Sequence, residues 1–140
     1  MTKLKIVKTV FIKAPRSHVW KFLTQADNLA LWFHRGGGDL VEGGEYILES
    51  NSYDKDGEKI CWGSVKETKE PERLVHTFTH NHLGGVETRC VWTLEEFESG
   101  TVVTLEHDGW EAYDGDPFVM AADHDKGWDE HFFRLRTVAG

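Results

Sequence analysis

The stretch that decides the fold is AADHDKGWDEHFFRLRTV, residues 121–138. On a 3.6-residue period Ala121, His124, Trp128, His131, Leu135 and Val138 fall on one face. An amphipathic helix turns such a face to the core, yet this one carries two imidazoles and an indole. What it packs against has to be read from the sequence upstream.

Pro117 suits the first turn of this closing helix, which runs to about Val138. Before it, TVVTLEHDGW, VETRCVWTLEEF, RLVHTFTHN and EKICWGSVKETK read as strands. The connections ESG, HLGG and EPE are short and turn-rich, so consecutive strands must pair antiparallel. In HRGGGDLVEGGEYILES, Gly36–Gly38 reads as a loop, and Gly43-Gly44 as a hairpin signal leading into a strand over Glu45–Ser50. DNLALWF reads as a short helix with Asp27 as its N-cap. APRSHVWKFLT reads as another, with Pro15 in its first turn and Val19, Trp20, Phe22 and Leu23 as its apolar face. KLKIVKTVFIK alternates Leu4, Ile6, Val10 and Ile12 and reads as the first strand.

The predicted class is therefore α+β: a six- to seven-stranded antiparallel sheet curled around a long C-terminal helix, with two short helices after the first strand. Such a sheet has one face to bury, and one amphipathic helix is available to cover it. If the sheet curls strongly, the space under the helix exceeds what side chains fill and a pocket results.

Composition narrows the function classes. A chain of 140 residues, 39% hydrophobic, without repeats or linker-like tracts, is expected to form one domain over 1–140. No apolar run approaches the ~20 residues of a membrane span. The start, MTKLKIVKTVF, lacks the apolar core of a signal peptide, which points to the cytoplasm. Cys61 and Cys90 sit inside strand-like runs and are expected to be buried, reduced thiols. A net charge of −8 with no basic stripe argues against nucleic-acid binding. The six tryptophans suggest an aromatic-rich interior or cavity, a core simply built with Trp being the plain alternative.

Five stretches, in order, carry a resemblance: APRSHVWKFLTQADNLALWF after a strand, VEGGEY, EPERLVHTFTH, GTVVTLEHDGW and HDKGWDEHFFRL. Over nearly the whole chain they resemble bacterial homologues of the C-terminal domain of the Hsp90 ATPase activator, within the START-like (Bet v 1-like, SRPBCC) superfamily. The resemblance implies a helix-grip fold, an antiparallel sheet wrapped around a long C-terminal helix with an apolar cavity between them. Relatives in that superfamily bind lipids, hormones or polyketides, and some are cyclases or hydrolases, so fold leaves the chemistry open. The eukaryotic co-chaperone's second domain has no counterpart here, which counts against an ATPase-activating role.

Strand parity supplies the opposite wall of the expected cavity. Cys90, Trp92 and Leu94 share one face, as do Val103, Leu105 and His107, and Leu74, His76, Phe78 and His80. With these faces inward, His76, His107, His124 and His131 converge with Phe78, Trp92 and Trp128. Trp20, Phe33, Trp62 and Trp110 are expected at the mouth or on the helix–loop side. The histidines have three readings: ordinary hydrogen-bonded side chains, groups orienting a polar atom of an apolar ligand, or metal ligands. His124 and His131 lie two turns apart, ~10.5 Å along the axis, and ligand nitrogens sit ~2.1 Å from an ion, so no metal is assigned.

No catalytic residue is assigned either. His107 and His124 are conceivable bases beside Asp108, Asp123 or Glu130, but the spacing does not separate these from solvated carboxylates. There is no GxSxG elbow, and HRGGGD lacks the strand–turn–helix setting of a phosphate loop. Gly36–Gly38 is read instead as a mobile segment gating the pocket mouth. DGWEAYDGDPF is either a hinge or a rigid loop stapled by Trp110. The expected function is non-catalytic binding of a small hydrophobic molecule, aromatic or acyl, without a cofactor. A cyclase- or hydrolase-like enzyme on the same cavity and an Hsp90-type chaperone-interacting module are the alternatives, and homodimerisation is open.

Overall fold

The computed structural model describes residues 3–50 and 58–140. Strand β1, Lys5–Ile12, buries Ile6, Val10 and Ile12 on one face and exposes Val7 and Phe11 on the other. Lys8 shares the inward face at the sheet edge, and its Nζ reaches Asp125 and Asp129 of the closing helix at 2.9 and 2.7 Å. Helix α1, Arg16–Thr24, buries Val19, Trp20, Phe22 and Leu23. Pro15 stands just outside it as the N-cap, one position earlier than the sequence suggests, and its carbonyl accepts from the amides of His18 and Val19.

Helix α2, Ala26–Trp32, corrects a second expectation. Asp27 lies inside its first turn rather than capping it. The orphan amide of Ala26 donates instead to Asp39 Oδ1 at 2.9 Å, a carboxylate brought back by the following loop. The glycine run that follows is not wholly a loop. Arg35–Gly36 forms β2, antiparallel to β3, Glu45–Glu49. A Cβ at Gly36 would stand 2.7 Å from Leu48 Cδ2, so a larger residue there would have to push the Leu48 side chain aside.

The meander continues through β4, Lys59–Lys69, β5, Arg73–His80, β6, Thr88–Phe97, and β7, Gly100–Asp108. The seven strands pair antiparallel in the order β1-β7-β6-β5-β4-β3-β2. Register shifts at Leu48/Glu49 and Val65/Glu67 bend the strands and help curl the sheet. Helix α3, Pro117–Ala139, crosses the concave face and touches β1, α1 and α2. This is the helix-grip arrangement expected from the sequence.

The stripe of α3 drifts from its predicted membership. Ala121, Trp128 and Leu135 are buried, but Phe132 and Ala139 join them, whereas Val138 is 38% exposed. The predicted positions advance 17 residues in five steps from Ala121 to Val138, fewer than the 3.6 per turn an α-helix needs, so the buried face moves one residue along by the last turn. Cys61 and Cys90 are buried free thiols, and burial pushes the Cys61 thiol up to about 12. No described helix is long and apolar enough to cross a membrane.

Candidate functional site

The inward strand faces carry His76 on β5 and His107 on β7, both buried. Trp92 on β6 donates its indole N–H to His76 Nε2 at 2.9 Å, so Nδ1 carries the hydrogen, within reach of the Thr77 carbonyl and the Tyr46 hydroxyl at 2.9 and 3.0 Å. Trp128 on α3 donates to His107 Nδ1 at 3.0 Å. The Thr88 hydroxyl gives its proton to the Phe78 carbonyl, so at 2.7 Å it accepts from His107 Nε2. Each imidazole is thus fixed in one neutral tautomer by an indole donor. Burial pushes His76 down to about 4, and burial, then the neighbouring His124 and His76, pushes His107 well below its ordinary value. Of the opening stripe, the Trp128 indole thus has its hydrogen-bonding partner inside a packed core.

The space predicted between Trp92 and Trp128 is filled. Their rings meet edge to face at 5.6 Å, and Phe132 packs on both at 5.7 and 5.9 Å. Open space beside α3 lies to one side of them. A cleft of about 300 Å³ runs between the N-terminal half of α3, residues 33–34 after α2, and the ends of β4 and β5. Its floor is aromatic: Phe33 stacks on Trp128 at 5.3 Å, and Phe78 lies 6.3 Å from the same indole. Ile60, Met120 and Gly127 complete the apolar wall, and a Cβ on Gly127 would meet nothing within 4 Å.

Polar groups gather at the rim. His124 Nδ1 lies 2.9 Å from the Met120 carbonyl, one turn back in α3, whereas its Nε2 is buried with no hydrogen-bond partner among the described residues. His80 faces His124 at 5.1 Å and accepts from the His82 amide through Nδ1. On the far rim, Arg134 donates to the Trp32 carbonyl and, at 2.7 Å, to His131 Nδ1; a guanidinium only donates, so that nitrogen is the acceptor. Desolvation holds His34, His80 and His131 down to about 4, helped by Arg134 at His34, by His124 at His80 and by His34 at His131. His124 is lowered too, chiefly by burial. At neutral pH the rim offers uncharged imidazoles, with Asp123 beside them. Among the described residues no three of His, Cys, Asp or Glu are placed to hold a metal ion.

Of the residues read from the sequence, Phe33, Phe78, His124, Trp128 and His131 line the cleft. His76, Trp92 and His107 lie behind its floor in the core. Trp110 is fully buried, its N–H donating to the His107 carbonyl, so the stretch after β7 is stapled. Trp20 borders a separate groove beside Thr24, Asp39 and Val41. Trp62 stands on the outer sheet face under Lys59 Nζ, 3.8 Å from its ring, because Cys61 takes the inward position. Sequence reading missed His34, Ile60, His82, Met120 and Gly127, and left His80 outside the site. The available signals were the HxH spacing of His80 and His82 and a lone glycine in mid-helix.

A sequence model of the family described as "Activator of Hsp90 ATPase homolog 1-like protein" matches residues 13–140. No curated protein matches the chain. Among solved structures, DynU16, from the dynemicin biosynthetic locus, superposes with a TM-score of 0.79 at 22% identity over 95% of this chain, which spans about half (46%) of DynU16. BH1534 from Bacillus halodurans gives 0.78 at 25% identity with both chains fully covered. The Aha1 dimer from Colwellia psychrerythraea gives 0.78 at 20%, covering 97% of this chain and 96% of that one.

Proposed function

The chain belongs to the family of Activator of Hsp90 ATPase homolog 1-like proteins, and from that premise we propose that it binds a small, largely apolar molecule, aromatic or acyl, in the cleft between α3 and the ends of β4 and β5. Gly127 carries the reading. A glycine inside a helix costs about 1 kcal/mol relative to alanine, and here it faces open space at the cleft wall. The helix gives up stability where a side chain would close the cleft. An aromatic floor with sparse polar groups at the rim is the usual make-up of a small-molecule site, and about 300 Å³ lies at the lower end of such volumes.

Native mass spectrometry of the purified protein tests this reading. A discrete mass excess is expected that disappears on denaturation and is absent from Gly127→Leu. No excess, together with no binding of added aromatic or acyl probes, overturns it.

A cyclase- or hydrolase-like reaction in the same cleft is the second reading. It would fall to His124, because both ring nitrogens of His107 are occupied in the core. Loss of turnover by orders of magnitude in His124→Ala, rather than a modest loss of affinity, would favour it. Chaperone interaction rests on the family's description alone and is tested by retention on immobilised Hsp90. Pairing of two copies draws on the dimeric Colwellia relative and on exposed Phe11 and Phe97 beside one groove. A monomer in sedimentation at high concentration would end that idea. A single cytoplasmic domain over 1–140 completes the reading.

A further inference from the structure

We propose that the ligand of this cleft presents an aromatic ring bearing an N–H or O–H donor, and that this donor bonds to His124 Nε2. The inference rests on the ligand-binding reading and narrows its chemistry. His124 Nδ1 lies 2.9 Å from the Met120 carbonyl, and two acceptors do not face each other at that distance, so Nδ1 carries the hydrogen. Nε2 therefore holds a lone pair. His124 lines the cleft, and its Nε2, itself enclosed, has no partner among the described residues, so a donor reaches it as the ring or its neighbours shift; a buried acceptor left unpaired is costly.

The same protein shows how it satisfies such a nitrogen. His76 Nε2 accepts from the Trp92 indole and His107 Nδ1 from the Trp128 indole, at 2.9 and 3.0 Å. In both cases the donor sits on the edge of an aromatic ring. His124 lies 6.2 Å from His107 and 4.8 Å from the Trp110 ring, on the wall of the same aromatic cluster, but no described indole reaches its Nε2. A ligand ring lying on Phe78 and Trp128, with its donor edge toward α3, completes the pattern. Size agrees: a cavity of about 150 Å³ holds one benzene ring, so about 300 Å³ admits two fused rings.

The inference also says what the site should reject. Carboxylates and other acceptors meet a lone pair on Nε2, with Asp123 at the same rim. Rings of the same shape without a donor leave Nε2 unpaired, as it already is, and gain nothing from it.

The test is calorimetric titration with two matched pairs, indole against benzofuran and 2-naphthol against naphthalene. In the wild-type protein each donor-bearing probe is expected to bind about tenfold tighter than its partner, and in His124→Phe both gaps should close. As a check that needs no variant, the ¹⁵N resonance of His124 Nε2 should move on adding indole and not on adding benzofuran. Equal affinities within both pairs, in wild-type protein that binds all four probes, overturn the inference and leave the ligand-binding reading standing. A gap that survives in His124→Phe removes His124 as the acceptor. If none of the four probes binds, the inference falls, and the ligand-binding reading then stands or falls on the acyl probes and the native mass spectrum.

Discussion

The two indoles that cross the core bind imidazoles in the same way. Trp92 reaches from β6 to His76 on β5, and Trp128 from α3 to His107 on β7. Trp92→Phe keeps a ring in place but leaves His76 Nε2 buried without a donor, so it should cost about 1–3 kcal/mol, read from urea unfolding; a change near zero would mean the bond adds nothing. Acidity probes the same contacts. An unfolded histidine titrates near 6.5, whereas burial holds His76 down to about 4 in the folded protein. Between those values the unfolded chain binds more protons, so the stability contribution is complete above pH 6.5 and is lost as pH falls toward about 4. His107, His80, His34 and His131 are shifted in the same direction. The urea midpoint should therefore be clearly lower at pH 5 than at pH 7.5, and equal midpoints would contradict the neutral, buried assignment. Alternation alone placed His76 and His107 inward. Which nitrogen meets which indole was not legible, because it depends on strand register and helix rotation together.

Helix α3 shows where local signals suffice and where they stop. Asp116 accepts from the amides of Phe118 and Val119, and Pro117 fills the first helical position, a start written in two consecutive residues. Asp116→Ala should cost about 1 kcal/mol in thermal or urea unfolding, and no loss would mean that packing alone sets this end. Helix α2 had an equally plausible local cap in Asp27, and the distant Asp39 took the amide instead. A cap supplied from 13 residues away is not legible in a local pattern. Gly127 is a different case. Because an added Cβ there would meet nothing within 4 Å, Gly127→Ala should gain about 1 kcal/mol of stability by helix propensity. Gly127→Leu should keep most of that gain while abolishing binding of aromatic probes. If Gly127→Leu still binds them, the cleft is not where the ligand sits.

For the whole molecule, the order of elements was legible because each turn signal and each period belongs to a short stretch of chain. The position of the open space was not. It is the difference between sheet curvature and side-chain volume, and Trp92, Trp128 and Phe132 filled the volume that curvature left under the middle of the helix. Toward the end of β5, where His80 and Phe78 face His124 and Gly127, curvature exceeded filling. The same connectivity bears on cooperativity. Strand β1 pairs along its whole length with β7, so the first element of the chain is held by the last strand, and α3 then packs back on β1. Trp32 on α2, Trp92 on β6, Trp110 after β7 and Trp128 on α3 each donate to a group on another element or turn. Opening the β5–β7 part of the sheet or lifting α3 breaks one of these contacts, so indole burial and backbone structure should be lost together. Urea unfolding followed by tryptophan fluorescence and by far-ultraviolet circular dichroism should give superimposable curves with one midpoint. Two separated transitions would show that the β1–β7–α3 side and the β2–β5 side unfold independently, and the proposal of one domain over 1–140 would be lost.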